Sequence, residues 1–301
     1  MREATSSCSH GEASGAVRCQ RLTARGSSVG GREVVVMRQG GWQKVGEYID
    51  TVFTRLLSPG FSWPRLPGLV SQCAVCRSWP AEPVCRPCVT RFAPTQRRCS
   101  SCALALPAGL PAAQDVCADC LHQPPPLDGA LAALPYAYPW SSLITRYKFG
   151  EQHGWAGFFA SLMRQTPGVT QTLDELTPQD WILPLPLSDQ RLQTRGFNQA
   201  WELASALARQ TQSPAQADAR LLLRVQHTRA QSELKREERL VNVQNAFQVD
   251  PLRVAALQGR AVVLVDDVMT SGASLFAAAQ ALREAGAASV IAVVLARTAA
   301  P

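Results

Sequence analysis

The sequence predicts an α/β fold: a parallel-sheet domain preceded by a small cysteine-rich domain. Three observations carry that expectation. Four Cys-x-x-Cys pairs are confined to residues 73–120, strand-like and helix-like segments alternate after residue 124, and a buried apolar run, Val262 to Val265, leads through a helical pattern to a second run, Val290 to Leu295. With 301 residues, 46% apolar and 18% charged, the chain is long enough for two domains and has the composition of a globular protein with a sizeable core. No apolar run approaches the roughly 18 residues of a membrane span, so no membrane insertion is expected. The first thirty residues include Arg2, Glu3, His10, Glu12, Arg18 and Arg21 and lack the apolar centre of a secretory signal, which makes the cytoplasm the expected compartment.

Residues 1–68 read as an N-terminal extension. Residues 1–36 are rich in Ser and Gly and show no sustained period, whereas Val45, Ile49, Val52, Phe53 and Leu56 share one face of an amphipathic helix beginning near Gln43. Met37 is a candidate start, with an ordinary disordered tail as the alternative. Pro59, Pro64 and Pro67 break the helix. The formal charge of +7 is partly local, since residues 1–68 hold nine Arg or Lys against five Asp or Glu. Eight thiolates on two zinc ions would lower the total to about +3, so bulk charge argues only weakly for a nucleic-acid partner.

Residues 69–123 form the expected cysteine-rich domain. Cys73 with Cys76, Cys85 with Cys88, Cys99 with Cys102, and Cys117 with Cys120 repeat one spacing that turns both sulfurs of a pair toward a common point. Two such pairs make the closed tetrahedral set that a structural zinc accepts, so two zinc ions are expected, with no open coordination position for catalysis. Sequential pairing is the simplest arrangement, and an interleaved one stays open. A disulfide scaffold or an iron-sulfur cluster is the bland alternative, disfavoured by a reducing compartment. Few large apolar residues lie between the pairs, so this segment depends on metal more than on a core. Cys8 and Cys19 belong to no pair.

Pro124, Pro125 and Pro126 mark the passage to the parallel-sheet domain, residues 124–301. Ala130 to Tyr138 reads as a strand, Ser141 to Phe149 and Trp155 to Met163 as helices, Trp181 to Leu185 as a strand and Phe197 to Arg209 as a helix. Near the end, Val262 to Val265 reads as a fully buried strand ending at Asp266 and Asp267, followed by Thr270-Ser271-Gly272-Ala273-Ser274. Leu275, Ala279 and Leu282 then keep helical spacing up to Gly286, a plausible C-cap. Backbone N–H groups of that short turn, with the positive end of the next helix behind them, suit a phosphate monoester, and the neighbouring carboxylates suit sugar hydroxyls. A ribose 5-phosphate satisfies both. A solvated Asp-Asp turn is the alternative. Neither GxxxxGK[ST] nor GxGxxG occurs, which disfavours a P-loop or a dinucleotide site.

Pro184-Leu-Pro-Leu187 precedes Arg191 and Arg195-Gly-Phe-Asn-Gln199, placing two arginines in a strand-to-helix turn. Such a fork suits a polyanion, although a solvated basic turn would read the same way. The polar run Arg229 to Arg239, closing at Asn242 and Phe247, reads as a flexible flap or as an exposed charged helix.

Val262 to Ser274 resembles the phosphoribosyl-pyrophosphate (PRPP) signature of type I phosphoribosyltransferases. Together with the four Cys-x-x-Cys pairs, Tyr147-Lys148-Phe149-Gly150, Arg195 to Gln199, and Gln231 with Arg239 and Asn242, the chain from about Leu69 to Thr298 resembles the ComF/GntX family. The resemblance implies a double zinc finger fused to a phosphoribosyltransferase-like domain, a cytosolic location and a link to natural competence, the uptake of DNA. It also implies that the turn bearing Arg191 and Arg195 receives pyrophosphate, and that Lys148 is a candidate anion contact.

Two functions are therefore expected. In the first, the domain binds PRPP with Mg²⁺: Asp266 and Asp267 take the ribose hydroxyls, Thr270, Ser271, Gly272, Ala273 and Ser274 the 5-phosphate, and Arg191 and Arg195 the pyrophosphate. Catalysis would be glycosyl transfer through an oxocarbenium-like state at C1, the arginines and Mg²⁺ neutralising the departing pyrophosphate. No general base and no acceptor-recognising hood stand out. In the second, the chain is a competence factor that binds single-stranded DNA through Arg77, Arg86, Arg91, Arg97 and Arg98 with Trp79 and Phe92, and keeps a regulatory nucleotide site.

Overall fold

A computed structural model describes residues 71–79, 81–149, 154–225 and 246–299. The helix expected from Gln43, the candidate start Met37, Cys8 and Cys19, Gly150, and the polar run with Gln231, Arg239 and Asn242 lie outside the described residues.

The cysteine-rich segment contains two short helices, α1 (Arg86–Phe92) and α2 (Ala118–His122), each beginning directly after a cysteine. After it the chain alternates as expected: β1 (Gly129–Pro135), α3 (Trp140–Phe149), α4 (Trp155–Arg164), α5 (Val169–Asp174), β2 (Trp181–Pro184), α6 (Asp189–Arg195), α7 (Gln199–Thr211) and β3 (Gln216–Ala217). A small antiparallel ribbon, β4 (Leu222–Arg224) with β5 (Phe247–Val249), precedes β6 (Ala261–Met269), α8 (Ala273–Glu284) and β7 (Ser289–Arg297).

Five strands make one parallel sheet in the order β1-β7-β6-β2-β3. The central strands are apolar on both faces because helices cover both. Val262 and Leu264 pack in the core that includes α8, while Val263 and Val265 pack in the core that includes α4 and α7. Residues expected as strand ends and a turn turn out otherwise. β6 does not stop at Val265 but runs on to Met269, held against β7 as far as the pair Met269 and Arg297, so Asp266 and Asp267 are strand residues. Arg191 and Arg195 lie on α6, a helix where a turn was expected, because Ser188 caps its N-terminus and Gly196 ends it.

The order of the strands decides where a ligand can enter. From β6 the chain crosses by α8 to β7 on one side, and from β2 it crosses by α7 to β3 on the other. Strand order therefore reverses between β6 and β2, the position at which open α/β sheets leave a crevice beyond their carboxyl ends. β2 pairs with β6 only as far as Pro184 and Val265, so the acidic pair projects past its neighbour into that crevice.

The cysteine-rich segment is packed into the sheet's two cores. Cys73 and Cys88 are buried with Trp140 and Phe159 on one face, and Cys99, Cys102, Cys117 and Cys120 with Leu264 and Leu275 on the other. Trp140 Nε1 donates to the Phe92 carbonyl at 2.7 Å, and Ala130 N–H on the edge strand donates to the Ser100 carbonyl at 2.8 Å. No helix among the described residues is long and apolar enough to cross a membrane.

Candidate functional site

Asp266 and Asp267 begin the site, and period-two alternation turns them to different faces of β6. Asp267 follows Val263 and Val265 and is buried against Lys148 at the end of α3, with Lys148 Nζ 3.0 Å from Asp267 Oδ1. Lys148, expected as an anion contact, is thus set on the protein's own carboxylate. Asp266 accepts the Asp267 backbone N–H at 2.8 Å. Desolvation first, and the adjacent charge of Asp267 second, push the Asp266 carboxyl up to about 8, against the opposing pull of Lys148 and Arg195.

The motif Arg195-Gly-Phe-Asn-Gln199 is legible as a helix break. Gly196, at φ 77°, takes the left-handed position that closes α6. Asn198 caps α7 by accepting the Ala200 N–H at 3.0 Å and donates to the Leu185 carbonyl at 3.2 Å, which ties the break to the end of β2. Gln199 is 1% exposed, accepts from Arg195 Nη1 at 3.0 Å and offers its carbonyl to the Tyr147 hydroxyl at 3.1 Å. The Arg195 guanidinium also lies 5.0 Å above the Phe149 ring. Arg195 is therefore held by Gln199 at the start of α7 and by Phe149, the neighbour of Lys148.

Arg191 and Arg195 are close enough that burial, followed by the charge of Arg195, holds the Arg191 guanidinium below its ordinary range. A third arginine joins them. Arg224, at the end of β4, stacks 5.1 Å from the Phe247 ring and is brought down to about 10 by burial and then by the charge of Arg191, opposed by the attraction of Asp266. The sequence reading missed Arg224 because it belongs to no motif: the ribbon that carries it forms only when Phe247 pairs back across more than twenty residues.

On the other flank, the chain leaves β6 through Thr270 and Ser271 and enters α8 at Gly272. Gly272 has φ 85°, and a Cβ there would lie 2.6 Å from Phe276 Cζ and 2.7 Å from Met269 Cε, so both backbone and packing require glycine. Ser271 Oγ accepts the Ala273 N–H at 3.4 Å and rounds the turn. Of the five expected loop residues, Thr270, Ser271 and Gly272 form the turn immediately after the strand bearing the carboxylates, and Ala273 and Ser274 are the first two residues of the twelve-residue helix that follows. Acidic pair, basic cluster and helix N-terminus converge at the crevice, and such a set can hold a polyanion that also carries hydroxyl groups. A cavity of about 560 Å³ lies elsewhere, between the cysteine-rich segment and β1, lined by Arg98, Ser100, Leu131, Gln165 and Thr172 among others, with none of the crevice residues.

The cysteines fall into two groups in sequential order, Cys73, Cys76, Cys85 and Cys88, then Cys99, Cys102, Cys117 and Cys120, each with its sulfurs within 4.8 Å of one another. A tetrahedron with metal-sulfur bonds of about 2.3 Å sets neighbouring sulfurs about 3.8 Å apart, close to the 3.5 Å between Cys76 and Cys85 and the 3.7 Å between Cys102 and Cys117. Backbone N–H groups point at the sulfurs, Cys85 to Cys73 at 3.3 Å and Cys117 to Cys99 at 3.3 Å. Burial raises the Cys73 thiol, but the N–H groups of Cys85, Cys76 and Val75 outweigh it and bring it down to about 6. Each group could hold a zinc ion.

Of the five arginines expected on the fingers, four are exposed: Arg77, Arg86, Arg91 and Arg97. Arg97, however, donates to the carbonyls of Leu110, Pro111, Ala112 and Gln114, and Arg98 is half-buried and donates to Ala103. These two hold the long connection between the second and third cysteines of the second group.

Comparison with known proteins places these features in a wider set. The family described as Phosphoribosyl transferase domain matches residues 194–301. DNA utilization protein YhgH of Escherichia coli O157:H7 is 32% identical over 247 residues, covering 81% of this chain and 99% of that protein. Competence protein F of Haemophilus influenzae is 33% identical over 170 residues, 56% of this chain and 73% of that protein. Competence protein ComFC of Bacillus subtilis is 36% identical over 110 residues, 36% and 41% respectively.

Proposed function

The chain belongs to the ComF family, and from that membership and the crevice geometry we propose that it binds PRPP or a related ribose 5-phosphate together with Mg²⁺. One observation carries the reading: at the reversal between β6 and β2, a carboxylate pair stands between a glycine-capped helix N-terminus and the cluster of Arg191, Arg195 and Arg224. Asp266 and Asp267 accept the ribose hydroxyls. The turn from Thr270 to Ser274 receives the 5-phosphate through its N–H groups. The arginines receive the pyrophosphate, and Mg²⁺ supplies counter-charge on it. Lys148 orients Asp267, so the carboxylate is aimed before the sugar arrives.

Phosphoribosyl transfer would proceed by departure of pyrophosphate from C1, with the positive charge that develops on the ring facing the acidic pair. Calorimetric titration with PRPP and Mg²⁺ tests the binding reading. Wild type is expected to bind, and Asp266→Ala with Asp267→Ala to weaken binding about 10- to 100-fold, the range for hydrogen bonds to charged groups. Wild-type protein that shows no heat with PRPP would end this reading. Pyrophosphate release against a panel of bases and amines then tests for turnover.

The names of the relatives, DNA utilization protein and competence protein, favour a second reading in which the chain also contacts single-stranded DNA. Arg77, Arg86 and Arg91 with the exposed Trp79 are the groups available on the first cysteine group and α1. Three phosphate contacts give a slope of log affinity against log salt of about −2 for a single strand. A slope near zero, measured by fluorescence anisotropy with an oligonucleotide, would contradict it.

A further inference from the structure

Arg297, the last residue of β7, is 7% exposed, and a buried guanidinium is tolerated only when its N–H groups are bonded. Its bonds run in two directions. Nε donates to the Cys102 carbonyl at 3.0 Å. Nη1 donates to the carbonyls of Met269 at 3.2 Å, of Thr270, and of Thr298 at 3.3 Å, and to the Thr298 hydroxyl at 3.2 Å. One rigid fork thus holds the second cysteine group at one end and the start of the phosphate turn at the other.

Both ends matter geometrically. Cys102 is followed by Ala103 at φ 57°, a left-handed turn closed by the Ala103 N–H on the Cys99 carbonyl at 2.8 Å, so the direction of the Cys102 carbonyl depends on the fold around the sulfurs. At the other end, the Met269 carbonyl shares a planar trans peptide with the Thr270 N–H, and the Thr270 carbonyl with the Ser271 N–H. Holding those two carbonyls turns the two N–H groups away from the guanidinium, which sets two of the donors that a phosphate would use. The two ends also face a common cavity of about 260 Å³, lined by Cys102, Cys117 and Cys120 together with Ser271, Phe276 and Arg297. The first cysteine group packs on the opposite face of the sheet, with Trp140 and Phe159.

We infer that Arg297 is a positioning residue that couples metal in the second cysteine group to ligand binding at the phosphate turn, an inference that rests on the phosphate reading of residues 270–274. By linkage, metal at that group and ligand at the turn strengthen each other by one common factor, and metal at the first group takes no part.

The probe is ribose 5-phosphate, titrated into full-length protein loaded with cadmium-113, which gives one NMR signal per four-thiolate centre. Arg297→Gln without ligand is expected to displace one of the two signals. Ribose 5-phosphate is expected to displace that same signal in wild type and to bind Arg297→Gln about tenfold more weakly, within the usual range of coupling between sites. Arg297→Lys, which keeps the charge and loses the fork, should fall between them. Wild type that binds ribose 5-phosphate with both signals stationary, or Arg297→Gln that binds as tightly as wild type, overturns the coupling. Wild type that binds no ribose 5-phosphate overturns the phosphate reading and the coupling together; this outcome is distinguished by the signal that Arg297→Gln still moves. Should the variants not fold, zinc competition on wild type decides: saturating ribose 5-phosphate must raise the zinc affinity of one site about tenfold, and equal affinities with and without ligand refute it.

Discussion

Asp266 reaches an elevated pKa because desolvation and the neighbouring charge of Asp267 both disfavour its ionised form. The folded chain therefore holds this proton more tightly than the unfolded chain. Its contribution to stability is fully present below the ordinary carboxylate range and is lost as pH rises from about 4 to about 8. Ribose hydroxyls donate to a carboxylate, so ligand uptake is expected to release the Asp266 proton near pH 7 and affinity to rise toward pH 8. Calorimetry in buffers of different ionisation enthalpy reads that proton; a binding enthalpy independent of buffer would contradict the assignment. Gly272 is the second decisive residue. Gly272→Ala should cost about 1–2 kcal/mol for the left-handed backbone alone, with more from displacement of Phe276 and Met269, measured as a lower urea midpoint at unchanged slope.

At the scale of elements, the break between α6 and α7 shows how a local sequence becomes a site. Ser188, Gly196 and Asn198 are capping residues whose positions follow from backbone chemistry, and they are readable in the sequence once the helix boundaries are known. The same applies to Gly272 ahead of α8. The length of β6 was not readable: two adjacent carboxylates normally end an apolar strand, yet pairing with β7 carries the strand through them to Met269. Arg97 and Arg98 make the converse point. Their charge suggested a nucleic-acid contact, and the structure spends both on carbonyls inside the cysteine-rich segment.

At the scale of the whole molecule, the two cysteine groups belong one to each core of the sheet, so metal and sheet should not unfold separately. Removing zinc with a chelator is expected to lower the single calorimetric transition of the chain. Two transitions, with the sheet's left in place, would show that the segment folds on its own. The sequence by itself determined what is local or periodic: four repeated cysteine pairs, alternating strands and helices, and an acidic pair running into a glycine turn, because each of these is set by spacing along the chain. Only the tertiary structure decided which partners meet. The crevice exists because strand order reverses between β6 and β2. Arg224 enters through a ribbon closed across a long separation, Lys148 of helix α3 is drawn to Asp267 of strand β6, and Arg297 joins residues nearly two hundred positions apart in sequence. Contacts of that range depend on chain topology, and no short window of residues records them.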